Sequence, residues 1–391
     1  MKCCHSFIFK FWNFYIVAIS MAMVFTLSGC IEEYEADISE DDSNLLVVEG
    51  AICSSQWNRF YLSRTQPLHS SSAPRMVTGA SVSVCGCDGS KYMAQDDGVC
   101  YSVWIDALSA DVKYYLHIED DGEVYESEPQ TPIRTEQIAE VIGVQNTPES
   151  NIDILVTPDV PFEPEKENFY SWKYQETWEV RPEFRTDLFF DTESMQMVYI
   201  PHQFPDRGWK DGIGTTILVG TSRNYEGQQI KKIKLYDIDR SSERVFYRYS
   251  GLVQQRAISK AEYEYELARR QASSEMGGLF TPQPSMLPGN IRCLTSGKHV
   301  IGYVGCSLNT AEYRFFINYD DFSINHPMGK DSRIWLEDCS EKDCCRMVES
   351  GLYLCEWIDD RPGGKLRTAW ATLSQLDVRV GGAYIEKPVF W

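Results

Sequence analysis

From Leu45 to about Ile133 the chain consists of short apolar runs with a period of two, broken by clusters of Gly, Asp, Asn and Ser. That period places successive side chains on opposite faces of an extended strand and leaves no apolar stripe for a helix. Leu45-Leu46-Val47-Val48-Glu49-Gly50 reads as a buried strand, followed by Asn58–Arg64 and Ala80–Cys85, where Ala80, Val82 and Val84 alternate with Ser81 and Ser83. Tyr101–Ile105, Lys113–Ile118 and Glu123–Ser127 follow, the last two joined across the Gly-containing turn Glu119-Asp120-Asp121-Gly122. Strands so short and so closely spaced predict an immunoglobulin-like β-sandwich over residues 45–140. The likeness is architectural, because the buried Cys–Trp–Cys signature of antibody domains is missing.

A larger β-rich domain is expected over residues 141–391, with the boundary near Ile133–Gln145 and a proline-studded stretch (Pro148, Pro158, Pro161, Pro164) around one strand at Ile152–Thr157. Phe169–Val180 sets Tyr170, Trp172, Tyr174, Trp178 and Val180 on one strand face, interrupted by Glu176. Further strands are expected at Thr215–Gly220, Ile230–Ile238, Glu243–Gln255, Val300–Cys306 and Tyr313–Tyr319. One helix is predicted near residues 260–273: Ser259 is its N-cap, Glu262 reaches back from the third position, and Gly277-Gly278 lies beyond its end. The Cys-rich final segment reads as irregular. The expected fold is therefore mainly β, a sandwich followed by a larger β domain with one inserted helix.

The N-terminus carries an address. Met1–Gly29 has two positive charges (Lys2, Lys10), an apolar run from Tyr15 to Leu27 and small residues ahead of Cys30, which together read as a signal peptide over residues 1–29. Leu27-Ser28-Gly29-Cys30 resembles the bacterial lipobox, in which the cysteine is lipidated and becomes the mature N-terminus. Residues 30–44 then form an acidic tether, with Glu32, Glu33, Glu35, Asp37, Glu40, Asp41 and Asp42 and no base. Ten cysteines remain beyond Cys30, four within Cys53–Cys100 and six within Cys293–Cys355. In an exported chain they are expected as disulfides, two separately stapled groups, rather than as metal ligands: Cys339, Cys344, Cys345 and Cys355 lack a CxxC pair.

The chain resembles the Bacteroidetes lipoprotein family of "domain of unknown function 4249". The resemblance runs through Cys30 and its acidic follow-on, Leu46–Gly50, Gly79-Ala80, Tyr125-Glu126-Ser127, Pro132-Ile133 and Tyr170–Glu179. Its densest part is Tyr249–Gln255, Glu262-Tyr263, Gly277–Phe280, Pro284-Ser285, Gly289-Asn290-Ile291 and Val300–Tyr303. The resemblance implies a cell-envelope protein working beside a TonB-dependent outer-membrane receptor, as a substrate-capturing or docking subunit. It supplies no active-site residues.

No enzyme is expected. His69, His117, His202, His299 and His326 form no HExxH, and neither GxSxG nor a phosphate-binding P-loop occurs. Glu176 and Glu179 are too ordinary among 57 acidic residues to read as a glycosidase pair. With 37 basic residues against those 57, the net charge of −20 excludes nucleic acid as a partner. No cofactor and no metal are expected. The candidate ligand contacts are Trp209, in the loop Pro205–Trp209, and Trp172 and Trp178 on the aromatic strand, for which core packing is the competing reading. The expected location is the outer membrane, lipid-anchored, on its surface or periplasmic face. The alternative role is a structural or assembly factor with no small ligand.

Overall fold

The period-two segments form strands in the computed structural model, which describes residues 44–66, 75–161, 163, 165–223, 225–226, 229–230, 232–274, 289–326, 331–360 and 365–391. The signal peptide, Cys30, the acidic tether through residue 43, His69 and Gly277–Phe280 lie outside the described residues. Strands β1 (Leu46–Cys53), β2 (Gln56–Arg64), β3 (Ser81–Gly86), β4 (Tyr101–Ile105), β5 (Tyr114–Asp120) and β6 (Glu123–Ser127) fall close to their sequence-based positions. They divide between two sheets. One is built on β1-β2-β4, the other on β6-β5-β3. Each inner face alternates as its sequence requires, and Val48, Phe60, Leu62, Val84, Leu116 and Ile118 meet in a shared core.

Residues 45–140 do not complete this sandwich alone. Ile291–Cys293 pairs antiparallel with β6, and Val300–Ser307 pairs parallel with β1 from Leu46↔Val300 to Cys53↔Ser307. Parallel neighbours need a long crossover, so β1 takes a partner from far downstream. Where the boundary was expected there is a strand, β7 (Ile138–Val144), paired with β8 (Ile152–Pro158). Leu45–Trp391 forms one compact unit.

The second layered region packs the sheet β7-β8-β11 (Ile233–Ile238) against a larger sheet. That larger sheet has β9 (Phe169–Val180) between β10 (Gly208–Ile213) and β12 (Arg248–Ile258). β9 has the expected bounds, and Tyr170, Trp172 and Tyr174 point into the core beside Ile154, Tyr249 and Val253. Helix α1 (Lys260–Ser274) follows β12. Ser259 Oγ accepts from the Glu262 backbone N–H at 3.1 Å, as its N-cap role demands. The Glu262 carboxylate, however, turns away from the cap to pair with Arg256. β13 (Ile291–Cys293), β14 (Val300–Ser307) and β15 (Ala311–Asn318) come next, β15 closing the larger sheet beside β12.

The Cys-rich end is regular where irregularity was expected. β16 (Ile334–Leu336), helix α2 (Glu341–Glu349), β17 (Leu352–Asp359) and β18 (Leu366–Thr372) enclose Phe190, Cys344, Leu354 and Trp370. Only Cys344 of α2 is fully buried, too thin an apolar stripe to show in the sequence. The expected disulfides are absent: all ten described cysteines are free thiols. Cys306 and Cys344 lie within apolar clusters, where a thiol packs as a small hydrophobe, and Cys53 is buried near Arg256 and Glu262. Burial holds each of these three thiols above its ordinary pKa.

Candidate functional site

The tryptophans singled out by sequence are structural. Trp172 is 2% exposed, and its indole N–H donates to Gln255 Oε1 at 2.9 Å. Trp178 packs against Val180, Val378 and Ala383, with its indole nitrogen buried. Trp209 corrects the expectation most sharply, since its loop position suggested an accessible ring and it is 3% exposed. It forms a two-way backbone bridge with Tyr384, and its ring lies 6.3 Å from Trp391. The C-terminal tail covers the loop, and the sequence gives no sign of that long-range contact.

The acidic residues of β9 are likewise committed. Glu176 and Glu179 are three apart on a strand and therefore face opposite ways. Glu176 Oε1 accepts from Arg244 Nη1 and from Tyr249 Oη, both at 2.8 Å, and Tyr249 Oη lies 2.8 Å from Tyr236 Oη. Burial pushes both phenols upward, so they stay protonated as donors in a largely buried network. Glu179 pairs with Arg181 at 2.6 Å, and that guanidinium stacks 4.4 Å from the Tyr247 ring centroid. Two shallow cavities lie nearby. One, of about 330 Å³, is lined by Arg181, Tyr247, Asp320 and Asp321. The other, of about 280 Å³, is lined by Arg185, Asp187, His202 and Phe204. In the second, Asp187 accepts from the His202 backbone N–H at 2.8 Å and from Tyr199 Oη at 3.2 Å. Among the described residues, no group of three or more His, Cys, Asp or Glu is placed to hold a metal.

Exposed aromatic surface occurs instead on the outer face of β2 and β4. Alternation sends Asn58, Phe60 and Leu62 inward and Trp57, Arg59 and Tyr61 outward. Trp104 lies directly opposite Trp57 in the antiparallel register. Their exposures, 55% and 45%, are unusual for rings of this size on the same patch. The ring centroids are 5.9 Å apart at 66°, an edge-to-face corner. Trp104 Nε1–H donates to Asp106 Oδ1, which fixes the indole. At the rim, the Asp97 carboxyl is held below its usual range by backbone N–H groups of Cys100 and Val99, and Arg59 adds to the effect by its charge. Sequence reading missed the pair because Trp104 sits between Val103 and Ile105, and an apolar triplet reads as buried. Carrying the β2 alternation one step back from Asn58 exposes Trp57.

A family model described as "Domain of unknown function (DUF4249)" matches residues 31–312. The chain belongs to that family. No curated protein matches. In this DUF4249 chain the match spans both sheets of the N-terminal sandwich, including β13 and β14, and the Trp57–Trp104 corner. It ends at the second residue of β15. The C-terminal tail that buries Trp209 lies beyond it.

Proposed function

We propose that this DUF4249 protein is a non-enzymatic cell-envelope lipoprotein, held at the outer membrane by fatty acids on Cys30. It captures a ligand, or docks, beside a TonB-dependent β-barrel transporter. The observation that supports this reading is the Trp57–Trp104 corner, two solvent-facing indoles side by side on paired strands. Rigid strands present rings with little ordering cost on binding. Leu27-Ser28-Gly29-Cys30 supplies the anchor, and each buried methylene of an acyl chain contributes about 0.8 kcal/mol, so several chains hold firmly. Among the described residues no helix is long and apolar enough to cross a membrane.

Mass spectrometry of the native protein is expected to find an N-terminal peptide beginning at acylated Cys30, and Cys30→Ala is expected to move the protein to the soluble fraction. Chemical crosslinking in solubilised outer membranes is expected to recover a β-barrel receptor. An unmodified Met1 terminus rejects the anchor. Crosslinked material without a barrel rejects the partnership and favours a structural spacer.

A further inference from the structure

We propose that the outer face of β2 and β4 binds a neutral oligosaccharide, with the C–H faces of its sugar rings stacked on Trp57 and Trp104. The inference deepens the capture reading above and rests on it. Both indoles are set before any ligand arrives: Trp104 is tied to Asp106, and Trp57 is braced edge-on against it. The T-shaped arrangement forms a corner, in which a ring lying on one indole meets the edge of the other. Tyr61 projects from the same face of β2, about 13 Å along the strand from Trp57 at the usual rise per residue, with Arg59 between them. The platform is thus longer than one sugar ring.

The polar groups around the rings select the occupant. Arg59 offers several N–H donors, Asp106 offers carboxylate acceptors and Ser102, opposite Arg59, offers a hydroxyl. An apolar protein surface would leave these groups without partners on burial, which is costly. A sugar presents C–H faces to the indoles and hydroxyls to the polar groups at once. Charge narrows the class further. The whole chain carries −20, and this patch sets one base, Arg59, against two acids, Asp106 and the rim Asp97. An acidic glycan or a second copy of this chain meets long-range repulsion that a neutral glycan does not. Position agrees with capture. Leu46 pairs with Arg64, so β1 begins at the end of β2 away from Trp57, about 23 Å along the strand.

The test uses the full chain in detergent micelles, titrated with maltohexaose, cellohexaose, xylohexaose and mannohexaose, and with hexagalacturonic acid as the acidic counterpart. Tryptophan fluorescence and calorimetry report binding. At least one neutral hexasaccharide is expected to bind. Trp57→Ala or Trp104→Ala should weaken it about tenfold, the equivalent of one lost stacking ring. The double variant should abolish binding while keeping the wild-type melting temperature, and Trp104→Phe should retain part of the affinity. The proposal is overturned if none of the neutral sugars binds at millimolar concentration, or if binding survives in the double variant. It is equally overturned if the acidic hexamer binds as tightly through the same rings, or if sedimentation shows a Trp57-dependent dimer. Because purified protein suffices, a negative result here leaves the transporter partnership standing, and a failed crosslink leaves sugar binding standing.

Discussion

Gly305 and Glu262 show how much one hydrogen atom in place of a side chain can decide. A Cβ built on Gly305 would lie 2.0 Å from Glu262 Oε2, and the Glu262 carboxylate is the buried partner of Arg256. Gly305→Ala is therefore expected to force that ion pair apart and cost about 3 kcal/mol in urea unfolding, as removal of one member of a buried pair does. The same change in a Glu262→Ala background should cost far less, because the clash is gone; simple additivity would refute the mechanism. His117 offers a pH test. Burial lowers its pKa, but hydrogen bonds to Glu119 and Glu126 outweigh burial and raise it. A raised histidine stabilises fully below its unfolded pKa of about 6.5 and loses that contribution as pH climbs through the folded value. His117→Gln should therefore destabilise more at about pH 5.5 than at about pH 8.5, by about 0.5 kcal/mol as for other half-exposed pairs. Equal losses at both pH values would mean that the histidine acts by packing alone.

Among the elements, those carrying a strong period were legible and those held by distant contacts were not. β9 was readable to the residue because Tyr170, Trp172 and Tyr174 alternate without interruption, and α1 because Ser259 announces its start. β7 was not, since Gly143 and the neighbouring prolines resemble a linker, and the strand exists by pairing with β8. α2 depends on its cap. Ser340 Oγ accepts from the Asp343 backbone N–H at 3.3 Å, and Asp343 Oδ2 accepts from the Ser340 backbone N–H at 2.8 Å. With one buried residue in the helix, Ser340→Ala should cost about 1 kcal/mol and lower amide-exchange protection across Glu341–Glu349 before the rest of the chain responds. The C-terminal tail is a second element invisible to local pattern. Arg314 lies 3.5 Å from the Phe390 ring centroid and Arg248 lies 5.3 Å from that of Trp391, so two cations clamp a strap over Trp209. Trp391→Ala is expected to red-shift and quench Trp209 fluorescence and cost about 1–2 kcal/mol; an unchanged spectrum in a Trp209-only reporter would show that the strap covers nothing.

At the scale of the molecule, the sandwich that presents the aromatic corner is assembled from both ends of a long loop in the chain. β1 is hydrogen-bonded over eight residues to β14, and β6 is extended by β13. Asn290, just before β13, locks the two later strands by accepting from the Val304 N–H at 2.8 Å and donating to the Val304 carbonyl at 2.9 Å. Ile291, Val300, Val304 and Cys306 belong to the same core as Val48 and Leu62. A fragment ending near residue 145 has the right alternation in every strand, yet it leaves β1 as a bare edge and part of its core open to water. Such a fragment is expected to collapse without cooperative unfolding and to bind a hydrophobic dye, and the loss should extend to the Trp57–Trp104 corner, because β2 hangs on β1. Joining residues 45–145 to residues 289–310 through a flexible linker should restore a sharp melting transition. If the short fragment melts cooperatively by itself, β13 and β14 are decoration on a finished sandwich, and the corner is independent of the rest of the protein.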